Sequence, residues 1–145
     1  MSELTIELLT RNRAIELWPE IAPLAEASAR GNTMSASDMD AQYIFNAVMA
    51  DEAVIFAGFD DGKLTTILGI QFSDANGHKC ADIIAMAGRR LSMFKSRYWK
   101  PILDWLRAND VEFLDSYVPT ERAVVYMNKF GFDKSCAHIR MSLGN

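Results

Sequence analysis

The feature that most constrains this chain is a β-rich block over 53–87 that two tight-turn signals divide into three runs. Asp60-Asp61-Gly62 and Asn76-Gly77 place glycine where a short hairpin needs a positive φ, with Asp or Asn beside it to tolerate the same conformation. The runs are 53–59 with Val54, Ile55 and Phe56, 63–72, and 78–87 with Ile83, Ile84 and Met86. Short turns join antiparallel neighbours, so the block predicts an antiparallel meander.

Amphipathic segments flank it. Residues 4–9 alternate loosely and predict a first strand. Ala14, Ile15, Leu17, Trp18, Ile21, Leu24 and Ala25 recur near helical spacing, but Pro19 and Pro23 fall inside the pattern. A proline removes one helix hydrogen bond, so two short pieces or a kink are expected, with Gly31-Asn32 as the end. Ser35 and Ser37, each followed three residues later by Asp38 and Asp40, form a capping-box pattern before a helix whose buried stripe is Met39, Tyr43, Ile44, Ala47 and Val48 and which should end near Asp51. After the meander, Leu91, Phe94, Tyr98, Ile102, Trp105 and Leu106 share a helix face that Pro101 should bend. A strand at 111–118, a helix at 120–130 ended by Gly131, and a last strand within 132–143 complete the order β-α-α-β-β-β-α-β-α-β. This predicts one α/β domain over 1–145, a mixed and mostly antiparallel sheet flanked by helices.

Composition narrows the function. Half of the 145 residues are hydrophobic, enough to bury a core, so disorder is excluded as the main state. A net charge of −4 argues against a bulk nucleic-acid binder. No apolar run reaches the roughly 18 residues of a membrane span, and no secretory pattern opens the chain, so a cytoplasmic protein with two reduced thiols, Cys80 and Cys136, is expected. Neither cysteine has metal-ligand spacing with His78 or His138, so no metal site is expected, and His138 reads as a structural or exposed residue.

The element order, the run from Thr120 to Phe132 (TERAVVYMNKFGF) and the run from Trp105 to Phe113 (WLRANDVEF) resemble the GNAT superfamily of acetyl-CoA-dependent N-acetyltransferases. The resemblance implies a Q/R-x-x-G-x-G/A loop before the central helix, whose bare main chain would approach the CoA pyrophosphate. Here that loop falls on Arg90 to Lys95: Arg90 fits the first position, while Met93 and Lys95 stand where glycines belong. It also implies a tyrosine that protonates the departing thiolate. The ungapped match puts Met127 there, with Tyr126 one residue earlier and about 100° around the helix, and Thr120 in place of the usual Asn. Backbone N–H groups near Ala85 and Met86 would polarise the acetyl carbonyl, Arg89, Arg90 and Lys95 would hold the cofactor, and Asp82 is a candidate base.

Two functions stay open. One is a binding or assembly protein with no cofactor, its acetyl-CoA site eroded at Met93, Lys95 and Met127. The Leu17-Trp18-Pro19 stretch and the Tyr126 to Phe132 segment resemble small GNAT-like proteins of tailed bacteriophages, which implies phage structural proteins as partners and a virion or host-cytoplasm location. The other is an acetyl-CoA-dependent N-acetyltransferase acting on a small amine or a protein amine. The departures favour the first, and an oligomer is compatible with either. The basic cluster Arg89, Arg90, Lys95, Arg97 and Lys100 reads as an anion site or as a solvated helix face. Tyr98-Trp99 offers one core and one partner-anchoring aromatic, or two aromatics packed on the sheet.

Overall fold

The computed structural model describes residues 3–30, 39–116, 121–134, 141, 143 and 144. Its elements follow the expected order: β1 (Leu4–Leu8), α1 (Arg11–Arg30), α2 (Ala41–Met49), β2 (Ala53–Asp60), β3 (Lys63–Ala75), β4 (His78–Gly88), α3 (Leu91–Ala108), β5 (Phe113–Ser116) and α4 (Glu121–Asn128). The last strand, together with Ser35, Ser37, Thr120, Cys136 and His138, lies outside the described residues.

Among the described residues the sheet has five strands in the order β1-β2-β3-β4-β5, with β1 to β4 antiparallel and β5 parallel to β4. Both hairpins close as their turn residues require: Asp61 and Gly62 at φ 52° and 83°, Asn76 and Gly77 at 52° and 84°. The expected middle strand stops at Phe72, whereas β3 continues to Ala75, because the Asn76-Gly77 turn pairs Ala75 with His78 and carries the ladder to its end.

The apolar residues divide between two faces, as the period of two demands. Ala14, Leu17, Ile21 and Ala25 of α1 and Ile44, Ala47 and Val48 of α2 cover Ile55, Ala57, Ile67 and Ile84. Phe94, Trp99, Ile102 and Leu106 of α3, with Met127 of α4 and Phe130, cover Phe56, Leu68, Ile70, Ala81 and Ile83. The result is a three-layer sandwich with the sheet in the middle.

Two expectations need correction, the division of α1 at its prolines and the capping box before α2. Pro19 and Pro23 do not divide α1, which is one helix of 20 residues. Both prolines and Ile15 are exposed, so the carbonyls they leave without a helix partner lie on the solvent-facing side, where water can satisfy them, and the buried stripe stays intact. The exposed Pro101 is likewise carried inside one continuous α3. The cap of α2 is Asp40 itself, whose carboxylate accepts the Tyr43 N–H at 2.9 Å. Asp40→Ala is expected to cost about 1 kcal/mol, read from the urea midpoint.

Candidate functional site

The site implied by the sequence lies where β4 leaves β5 and turns into α3. The parallel ladder holds Cys80 to Ile83 against Phe113 to Ser116; β4 then runs on through Ile84 to Gly88 with β3 as its strand partner among the described residues. A bulge starts this stretch. Ile70 pairs with Ile83 and Gly69 with Ala85, so Ile84 is an extra residue that shifts the pleat. Ala85 is consequently buried on the α1 side. The Met86 N–H is donated to the Ser28 hydroxyl of α1 at 3.0 Å.

The turn into α3 is built on backbone. Gly88 lies at φ 129° against Thr65 and Thr66 of β3, the Arg89 N–H bonds the Thr65 carbonyl at 3.0 Å, and the Thr66 hydroxyl donates to the Arg89 carbonyl at 2.6 Å. This leaves the Arg89 side chain in solvent. Arg90 caps α3 in the left-handed conformation, φ 63°, with no side-chain cap bond. Its guanidinium instead reaches Asp60 at the end of β2 (2.9 Å) and the Met93 sulfur (3.1 Å). The pair is mostly shielded, with side chains 31% and 22% exposed. Lys95 is turned away from this pole, its ammonium 5.3 Å from the centre of the Phe130 ring. Of the basic cluster, Arg89, Arg97 and Lys100 are solvent-exposed.

Met127 is buried under α3, whereas Tyr126 is 38% exposed, its ring edge-on to Phe130 at 5.4 Å. Asp82 lies between Ala81 and Ile83, which pack on the α3/α4 side, so alternation sends its carboxylate to the α1/α2 side. The structure therefore does not bring Asp82 and Tyr126 to one face. Asp82 is in register with Gln71 on β3 and Asp115 on β5, and Gln71 accepts a 2.7 Å hydrogen bond from the Tyr43 hydroxyl. Burial, then the neighbouring Asp115 charge, pushes the Asp82 carboxyl above its usual range. Burial and the surrounding carboxylates also raise the Cys80 thiol, which keeps this free cysteine protonated and unreactive at neutral pH.

Tyr98 and Trp99 both pack inward. Trp99 is buried and donates its indole N–H to the Phe130 carbonyl at 2.7 Å, while the Tyr98 hydroxyl donates to the Leu4 carbonyl of β1 at 2.6 Å. Neither is a free anchor for a partner. Among the described residues no group of His, Cys, Asp and Glu could hold a metal, and no helix is long and apolar enough to cross a membrane.

Sequence reasoning missed Ser28 and Asp60. Ser28 carries no motif, and Asp60 reads only as part of a turn; both act through contacts far along the chain.

No family model matches the chain, and no curated protein matches it in sequence. Its likeness is structural. A GCN5-related N-acetyltransferase from Ralstonia eutropha JMP134 superposes with a TM-score of 0.72 over 98% of this chain and 100% of its own, at 11% identity. An aminoglycoside acetyltransferase from an uncultured soil metagenomic sample, solved with sisomicin, gives 0.71 over 97% and 96% at 15% identity. A predicted acetyltransferase from Clostridium acetobutylicum, solved with acetyl-CoA, gives 0.69 over 97% of each chain at 11% identity. With the mixed five-stranded sheet and its flanking helices, these neighbours identify the architecture: the chain has the GNAT fold.

Proposed function

We propose that this protein is a binding protein on a GNAT scaffold whose acyl-CoA end is closed by its own side chains. The observation that carries the reading is the Ser28 hydroxyl on the Met86 N–H, since that amide is the donor an acyl oxygen would need. The pole of α3 supports it: Arg90 is engaged by Asp60, and the Met93 side chain lies against the guanidinium where the family loop has bare main chain. As they stand, these residues do not fit an acyl-CoA. A fold does not carry its family's reaction when the groups that perform it are engaged elsewhere. The resemblance to small phage-encoded proteins supplies the partner class, structural proteins of a virion.

A second reading, acetyl transfer to an amine, is favoured by the early end of the β4–β5 ladder and by the structural neighbours being acetyltransferases. Thiol release from acetyl-CoA separates the two. Against a panel of amines and peptides, the purified protein is expected to release no more thiol than a protein-free blank. Release that depends on both protein and amine establishes the second reading; Tyr126→Phe then tests whether Tyr126 protonates the leaving thiolate.

A further inference from the structure

We infer that Ser28 is an internal occupant of the Met86 amide, an autoinhibitory contact that keeps an acyl oxygen out of the β4 notch. The inference rests on the reading of a closed site above and names the atom that closes it.

A backbone N–H in a partly buried strand needs an acceptor, and the cost of leaving it bare is what makes such a group a binding site when it is offered to a ligand. The acceptor could have come from a neighbouring strand, water or ligand. Here it is Ser28 Oγ, supplied from α1, 58 positions away in sequence. The helix is fixed behind it: Ile21 and Ala25 are fully buried and Ala29 nearly so, which holds Ser28 over β4 rather than leaving it on a loose end. The bulge at Ile84 precedes the amide by two residues and disturbs the regular pleat of the strand. An acyl oxygen arriving at this amide competes for the one proton that the Ser28 hydroxyl already accepts, and it meets the serine oxygen in the same space. Removing that oxygen leaves a donor and a small void at the same point; alanine at 28 keeps the helix propensity high, so α1 itself is not weakened.

The test compares wild type, Ser28→Ala and Ser28→Thr. Threonine keeps the hydroxyl and serves as the rescue variant. Amide hydrogen exchange at Met86, followed by NMR, is expected to be about fivefold to tenfold faster in Ser28→Ala, with Ser28→Thr close to wild type. Millimolar acetyl-CoA is expected to raise the melting temperature of Ser28→Ala alone, because a ligand that binds only the folded state stabilises it.

If Ser28→Ala folds but gains no response to acetyl-CoA, the hydroxyl is not what excludes the ligand and the inference fails, and the closed-site reading then rests on the Arg90 and Met93 contacts at the α3 pole alone. If wild type responds as strongly as Ser28→Ala, both fail together. Should Ser28→Ala not fold, wild type alone decides: a Met86 amide exchanging as fast as an unprotected one overturns the contact.

Discussion

Gly88→Ala is expected to destabilise the protein by about 3 to 5 kcal/mol, lowering the melting temperature by on the order of 10 °C. A Cβ built on Gly88 falls 2.1 Å from the Thr65 carbonyl oxygen and 2.5 Å from the Thr66 Cα. Both are backbone atoms of β3, so no rotamer change can relieve the clash. The φ of 129° adds strain for any residue with a side chain. The strand also has little room to retreat. Gly88 is paired with Thr66, and the next residue is tied to the same two threonines through the Arg89 N–H and carbonyl. Gly62→Ala is the control: it too has a positive φ, 83°, but nothing lies within 4 Å of its Cβ, so only the conformational cost of about 1 kcal/mol is expected. Equal melting temperatures for the two variants sink the steric account. Because Gly88 leads through Arg89 to the cap of α3, its loss should also release the Arg90–Asp60 pair.

The contrast between these glycines marks where the sequence stops being informative. Gly62 and Gly77 sit beside Asp and Asn between alternating runs, so turn and register can be read locally, and the meander follows from them. Gly88 has no such frame. Its constraint is the bulge at Thr65, where Phe59 pairs with Leu64 and Gly58 with Thr66, and a bulge leaves no mark in the residue types. Proline misled for a related reason. Pro19 and Pro23 break a helix only if the freed carbonyls stay unsatisfied, and the exposed face they occupy becomes known only once Ala14, Leu17, Ile21 and Ala25 have chosen the core side. The site follows the same division. Arg90 is visible as the first position of a family loop and Met93 as a departure from it. That the one holds Asp60 and touches the other depends on the end of β2 approaching the start of α3, and Ser28 reaches Met86 only because α1 crosses β4. Helix stripes and hairpins are near-neighbour physics; the contacts of Ser28 and Arg90 are a property of packing.

Trp99→Ala is expected to cost about 3 to 5 kcal/mol, and Trp99→Phe about 1 to 2 kcal/mol, in urea unfolding. The difference is large because Trp99 joins α3 to the end of α4 in two ways. Its ring packs edge-on to Phe130 at 5.1 Å and tilts against Phe132 at 5.9 Å, and its N–H satisfies the Phe130 carbonyl. Phenylalanine keeps most of the ring contact and strands the carbonyl; alanine loses both and leaves a cavity in the layer that holds Ile102 and Leu106. Met127 is the one buried residue of α4. The loss should therefore be local before it is global: amides of 121–128 are expected to exchange faster in Trp99→Ala than those of β2 or β3. α4 also carries Tyr126, whose ring is linked to Trp99 of α3 through Phe130. Equal destabilisation by alanine and phenylalanine assigns the whole effect to the hydrogen bond. A uniform rise in exchange across the sheet removes Trp99 as the specific fastener of α4.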